Sequence, residues 1–507
     1  MTLSDRAGQH FLVDFSGPEV TPEIERLIRD GRIGGVILFA KNIRSASQVR
    51  GLTADLQGIA SAAGLPPLFV SVDQEGGMVN RLTEGVTVFP GAMSIAAAGW
   101  TEEAAAAARM TALELRALGI NVNHAPVLDV NTDVSNPIIG VRAFADDPDE
   151  VARFGAAYVA AAQEAGVLAT PKHFPGHGAT PVDSHLDLPR VGKDPVSLRR
   201  EDIEPFAAAF AAGADGLVTA HIVYRALDPD LPATLSPAVV TTLLREDLGF
   251  GGVVFTDSMD MKAISSRWGR GPAAVKALAA GVDVIMACGP AEMQWASIEA
   301  VRRAAEEGTL DAGALRRSAA HIADAKARYA RVDAGPPAVD REAHARRAEQ
   351  IADRAITLVR AARGRIPLQS RRTAVLHVGS DAWVAATPRL GEELAALLPG
   401  VTLASAASEV TARPWDAVIV VSLSWRSYGG IDTIATLHRE FGDRLIVVGA
   451  GNPYELLRFP DVPTYLAAYG PDPASMRAAA RVLAGRLGPV GRLPVALPPL
   501  YPRGHSA

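Results

Sequence analysis

"LFVSVD", residues 68–73, is an apolar run that stops on an acid, and "QEGGMVNRL" (74–82) follows it at once. A near-continuous Leu, Phe and Val run suits a strand buried on both faces, and the Gly-Gly pair behind it suits a tight turn. The pattern recurs in "FLVDF" (11–15), "GGVILF" (34–39), "INVNHAPVLDV" (120–130) and "LATPKHF" (168–174). It returns in "GLVTAHI" (216–222), "GVVFTD" (252–257) and "VDVIMAC" (282–288). Alanine-rich amphipathic stretches lie between, such as "TEEAAAAARMTALELRALG" (101–119) and "DEVARFGAAYVAAAQEAG" (149–166). Strands alternating with helices argue for βαβ units and a parallel sheet. Eight strands in this length of chain predict an α/β fold of the (β/α)8 TIM-like barrel type rather than an open sheet.

Several runs end on a polar or ionisable residue: Asp14, Asp73, Asp129, His173, His221 and Asp257. Each alone suits a helix cap or a loop. Together they point to a site, because such barrels build their sites at the carboxyl ends of the strands.

At 507 residues the chain is long enough for two or three domains. A net charge of −6 is mild and excludes any expectation of nucleic acid or an anionic membrane as partner. The single cysteine, Cys288, excludes an internal disulfide and a cysteine-built zinc site. No apolar run reaches the length of a membrane span, and "MTLSDRAGQHFLVDF" has no basic region leading into a long apolar one, so the cytoplasm is expected. The barrel pattern gives way to a helical stretch (297–331), a linker "VDAGPPAVD" (332–340) and a helix (341–363). New strand-like runs follow: "TAVLHVG" (373–379), "DAVIVVS" (416–422), "RLIVVGA" (444–450) and "TYLAAYG" (464–470). The expected division is a barrel domain at 1–335, a linker and helix at 336–363, and a smaller α/β domain at 364–507. "GAGNP" (449–453) lacks the GxGxxG spacing and reads as a strand-to-helix turn.

The chemistry-bearing residues admit more than one reading. In "VVFTDSMDMKAI" (253–264), Asp257 is either a helix cap or a carboxylate projected into a pocket, and Asp260 is the better-placed cap. Asp73 and Glu75 beside Gly76-Gly77 suit hydrogen bonding to sugar hydroxyls, and equally Mg²⁺ or no ligand. Arg81 and Arg142 offer planar forks, or surface ion pairs. "TPKHFPGHGATPVDSHLDLP" (170–189) gathers three histidines. A metal pair His173-x₃-His177, completed by Asp183 or His185, lacks the helix that would put both rings on one face, since Pro175 and Gly176 intervene. Asp183-x-His185 fits a carboxylate that orients an imidazole for general acid/base work, or a plain loop hydrogen bond. His177 reads as a loop-organising residue. These residues locate an enzyme site near 73, 173, 183–185 and 257 without naming its reaction.

In combination, "DQEGG", "NPIIGVRAF", "KHFPGHG…DSH" and "FTDSMDMKA" resemble glycoside hydrolase family 3, and within it the two-domain β-N-acetylglucosaminidases. The tail "GPVGRLPVALP" (488–498) resembles the end of that family's C-terminal α/β sandwich domain. The resemblance implies Asp257 as nucleophile, His185 as general acid/base and Asp183 as its dyad partner. It implies Asp73, Arg81, Arg142, Lys172 and His173 as sugar-binding residues, with no metal and no cofactor. Met78 departs from the family's usual Arg in "DQEGGRV", and Ala179 replaces a more usual polar residue. The implied activity is a retaining exo-β-N-acetylglucosaminidase that hydrolyses terminal non-reducing N-acetylglucosamine from muropeptides or chitooligosaccharides. The alternatives are a phosphorylase that uses phosphate as acceptor, a family β-glucosidase or xylosidase, and a non-catalytic sugar-binding barrel. The partner expected is a small carbohydrate, with neither nucleic acid nor membrane.

Overall fold

The structure is a computed structural model that describes residues 4–507, apart from 182, 184, 185, 332–334, 336, 370, 371, 380–384 and 426–428. Each of the eight apolar runs holds a strand: β1 (Phe11–Val13), β2 (Gly35–Leu38), β3 (Phe69–Val72), β4 (Val122–Asn123), β5 (Leu168–Ala169), β6 (Gly216–Thr219), β7 (Val253–Thr256) and β8 (Ile285–Ala287). All are buried along their length, which is why the sequence shows runs rather than alternation. A parallel sheet has the order β8-β1-β2-β3-β4-β5, and β6 pairs parallel with β7. Parallel bridges Phe174–Thr219 and Phe255–Val284 link this pair to the chain after β5 and to the residue before β8.

Side-chain alternation divides the packing into two faces. Leu12, Ile37, Phe69, Val122, Leu168, Val218, Phe255 and Met286, one from each strand, share a single apolar cluster. Phe11, Val36, Val70, Leu217 and Val254 belong to a second, larger cluster that takes in the helices.

A second six-stranded sheet follows: β9 (Thr357–Arg360), β10 (Thr373–Gly379), β11 (Val401–Ala404), β12 (Ala417–Leu423), β13 (Leu445–Gly449) and β14 (Tyr465–Ala467). Its order is β9-β14-β13-β12-β10-β11, with β9 antiparallel to β14 and the other pairings parallel. The molecule is therefore a mixed α/β fold with parallel sheets.

The helical stretch is present in two pieces, and the helix after it is shorter than expected. The stretch 297–331 is two helices, Ala291–Glu306 and Ala312–Tyr329, parted where Gly308 turns with φ 72° and Asp311 caps the second by accepting from Ala314 N at 2.6 Å. The helix expected over 341–363 ends at Ala355, and β9 follows. The Ile356-Thr357-Leu358-Val359 run favours extended backbone, and its Thr357 and Val359 bury on one side while Leu358 and Arg360 are half-buried. Of the expected linker, residues 332–334 and 336 lie outside those described, and 335 and 337–340 form neither helix nor strand. No helix among the described residues is long and apolar enough to cross a membrane.

Candidate functional site

Residues at the carboxyl ends of β3, β4, β5 and β7 converge. Asp73 follows β3, and Gly76 and Gly77, at φ 90° and 55°, turn the chain so that Glu75 lies beside it. Gly77 has no room for a side chain, since a Cβ there would lie 2.7 Å from Gly91 Cα. Lys172 Nζ reaches Asp73 Oδ1 at 2.9 Å and Glu75 Oε1 at 2.6 Å. Arg81 Nη2 donates to Asp73 Oδ2 at 3.0 Å. Arg142 grips Glu75 with two bonds, Nε to Oε2 at 2.9 Å and Nη2 to Oε1 at 2.8 Å. The result is a chain of alternating charge: Arg81, Asp73, Lys172, Glu75, Arg142.

Burial sets the electrostatics. Desolvation pushes the Asp73 carboxyl up, yet Lys172 and Arg81 outweigh it and hold Asp73 far below the usual range. Glu75 follows the same logic: burial opposes, Arg142 and Lys172 prevail, and its pKa falls to about 2. Burial would lower Lys172, but Asp73 and Glu75 keep its ammonium charged, with the pKa raised. Both carboxylates are thus fixed as acceptors, the state suited to hydroxyl groups as donors.

Asp257 follows β7, where Ser258 N donates to its Oδ1 at 2.7 Å and its own amide reaches Thr219 O at 3.3 Å. His124, just after β4, feels the charges of Asp73, Lys172, Asp257 and Glu75 together. The His124 ring stands edge-on to Phe255, bonds Thr170 Oγ1 through Nδ1 at 2.9 Å, and is pushed down to about 4 by burial.

The histidine-rich loop is organised by Asp129. Its Oδ1 accepts from His173 N at 3.1 Å and His177 N at 2.7 Å, and its Oδ2 pairs with His173 Nδ1 at 2.7 Å. His177 Nδ1 meets Thr180 Oγ1 at 2.7 Å, and burial pushes the ring down to about 4. His177 is therefore part of the loop's framework, as its sequence reading has it. Asp183 is half-buried, and its carbonyl accepts from Leu186 N at 2.9 Å. His185 lies outside the described residues, so the Asp183–His185 pairing rests on sequence.

A cavity of about 1310 Å³ lies elsewhere, around Gln9, Pro67, Ile120 and Gly166 at the amino ends of the strands. Its Arg116, Lys326 and Arg328 sit in the last turns of their helices, where cations complement the helix dipole. None of the candidate site residues lines it.

Comparison with known proteins settles the lineage. The profile "Glycosyl hydrolase family 3 N terminal domain" matches residues 2–325. The chain belongs to glycosyl hydrolase family 3. A solved structure titled as a glycoside hydrolase family 3 beta-N-acetylglucosaminidase from Paenibacillus sp. str. FPU-7 is 37% identical, with a TM-score of 0.91 over 98% of this chain and 99% of that one. A beta-hexosaminidase of Stenotrophomonas maltophilia (strain R551-3) is 40% identical over 316 residues, 60% of this chain and 92% of that protein. Beta-hexosaminidase A of Pseudoalteromonas piscicida is 40% identical over 319 residues, 56% of this chain but only 53% of that protein's length.

In this family 3 chain the structure joins Asp73, Arg81, Arg142 and Lys172 in one ion-pair chain, sets Asp257 at the end of β7, and turns His173 onto Asp129. Sequence reading left His124 without a role, named Asp129 only as a strand-end residue, and gave Glu75 as a carboxylate suited to sugar hydroxyls, Mg²⁺ or no ligand, without its arginine partner. Asp129 was visible as a strand-end acid, whereas the Glu75–Arg142 pair spans 67 residues and has no local signature. Met78, the departure from the family pattern, is buried at 4% exposure in the apolar core, so the five-member ion-pair chain stands without an arginine there.

Proposed function

We propose that this family 3 chain is a retaining exo-β-N-acetylglucosaminidase that removes terminal non-reducing N-acetylglucosamine from muropeptides or chitooligosaccharides. The barrel reading supports it: eight parallel strands joined by two bridges, with one apolar cluster fed from every strand, fit a closed (β/α)8 barrel with its site at the carboxyl ends. The second sheet then forms the smaller α/β domain.

The observation that carries the reading is Asp257 on the end of β7, whose charge acts on His124 together with those of Asp73 and Glu75, two carboxylates locked in their ionised form. In the proposed mechanism Asp73 and Glu75 accept from sugar hydroxyls, while Arg81, Arg142 and Lys172 hold them in place and donate. Asp257 attacks the anomeric carbon as His185 protonates the leaving oxygen. His185, steadied by Asp183, then takes a proton from the water that releases the sugar. Two displacements at one carbon retain its configuration. The names of the relatives support N-acetylglucosamine as the sugar.

Trapping with a 5-fluoro N-acetylglucosaminyl donor and peptide mapping tests this. The expected adduct is on the peptide that carries Asp257. An adduct on another residue, or none despite turnover, overturns the mechanism. In phosphate buffer the expected product is free N-acetylglucosamine, and its 1-phosphate would make the enzyme a phosphorylase.

A further inference from the structure

The turn "GAGNP" (449–453) leaves β13 of the second sheet; its Asn452 meets Gly140, and Tyr454 just after it meets Asn131, both in the chain that follows β4. Asn452 is fully buried, and neither its Nδ2 nor its Oδ1 has a hydrogen-bond partner among the described residues. What it does touch is Gly140: a Cβ on Gly140 would lie 2.4 Å from Asn452 Nδ2, and Gly140 itself takes φ 46°. Gly140 opens the single 3-10 turn Gly140–Arg142, which aims the Arg142 fork at Glu75.

The same turn is held from a second side. Gly140 N donates to Asn131 Oδ1 at 2.9 Å. The Asn131 amide can present that oxygen only if its Nδ2 is anchored the other way round. Nδ2 donates to Asp133 O and to Tyr454 OH, both at 3.1 Å. The Tyr454 hydroxyl thus helps decide which way the Asn131 amide faces, and through it where the Arg142 turn begins.

The other half of the Glu75–Arg142 pair also meets the second sheet. A Cβ on Gly470, just past β14, would lie 3.7 Å from Gly77 Cα, two residues from Glu75. Tyr469 lines a small void together with Glu75, Gly76 and Arg142. Both segments that carry the ion pair therefore lean on loops at the carboxyl ends of β13 and β14.

We propose that Tyr454 and Asn452 are positioning residues for sugar binding: the second sheet braces the Gly140–Arg142 turn and so sets the geometry of the Arg142–Glu75–Lys172 chain. The proposal deepens the reading above and rests on it, since it takes Arg142 as part of the sugar-binding set. A bidentate guanidinium–carboxylate pair tolerates little misalignment, so a loosened turn weakens the grip on the sugar without touching Asp257.

The test is steady-state kinetics of the full chain on an aryl N-acetyl-β-glucosaminide, with Tyr454→Phe, Arg142→Lys and the double variant. Tyr454→Phe leaves a buried N–H of Asn131 without its acceptor, and KM is expected to rise about five- to tenfold with kcat within about twofold. Arg142→Lys raises KM further, and the double variant is no worse than Arg142→Lys alone, because Tyr454 acts through Arg142. Additive losses in the double variant, or an unchanged KM for Tyr454→Phe beside a raised one for Arg142→Lys, overturn the brace and leave the site reading standing. An unchanged KM for Arg142→Lys overturns both. If Tyr454→Phe does not fold, Asn452→Ala, which frees the space beside Gly140, is measured in the same way. It is expected to raise KM and not kcat, and an unchanged KM overturns the proposal.

Discussion

Replacing Lys172 by Met removes the cation that touches both Asp73, at 2.9 Å, and Glu75, at 2.6 Å. Met keeps most of the apolar stem, so the variant changes charge more than volume. Breaking a buried ion pair by removing one partner costs about 3–5 kcal/mol. Each carboxylate keeps one arginine, Arg81 or Arg142, which puts the expected loss at about 3 kcal/mol at pH 8. In the wild type the neighbouring cations hold Glu75 down at about 2 and Asp73 far below the usual carboxylate range, so both are charged at pH 5 and at pH 8 and neither makes stability vary appreciably across that window. Without Lys172, burial, the largest single influence on each carboxyl, faces fewer cations and is expected to lift a carboxyl above its unfolded value. A group raised in this way contributes stability below its unfolded pKa and loses it as pH rises through the folded one. The deficit of Lys172→Met relative to wild type is therefore smaller at pH 5 than at pH 8. Urea unfolding followed by tryptophan fluorescence at the two pH values measures it. A deficit below about 1 kcal/mol, or one equal at both pH values, would refute the reasoning.

Two further groups give pH signatures of opposite sign. Glu455, fully buried between Ser422 Oγ and Tyr465 OH, is pushed up to about 7 by burial, so its contribution is lost as pH rises through 7. Glu455→Gln is expected to match wild type near pH 5 and to exceed it at pH 9 by up to about 3 kcal/mol, read from thermal midpoints; parallel pH profiles would count against it. His124 is pushed down to about 4, so its contribution is present above the ordinary histidine value and lost as pH falls toward 4. His124→Asn is expected to remove up to about 3 kcal/mol of the wild-type loss between pH 6.5 and 4, and an unchanged acid-unfolding slope would contradict this.

The strands were legible because parallel strands buried on both faces write themselves as unbroken apolar runs, and β1 to β8 each fall inside such a run. β9 was not, because Thr357–Arg360 follows a good helix without a glycine or proline, and only pairing with β14 decides against helix there. Asp257 and Asp73 were legible as acids at the ends of runs. Their relation to one another was not, since nothing local ties residue 73 to 172 or 75 to 142.

The sequence by itself determined the kind of fold, the family and most of the residues in play, because periodicity and short motifs are local properties of the chain. Tertiary structure alone decided how those residues are partnered. It gave Lys172 two carboxylates, turned His173 onto Asp129, set Asn452 against the turn that carries Arg142, and set Tyr454 against Asn131, which holds that turn. The physical reason is that burial and through-space charge depend on distance in the fold, and the residues that set the charge of Asp73 and Glu75 lie up to about a hundred positions away along the chain.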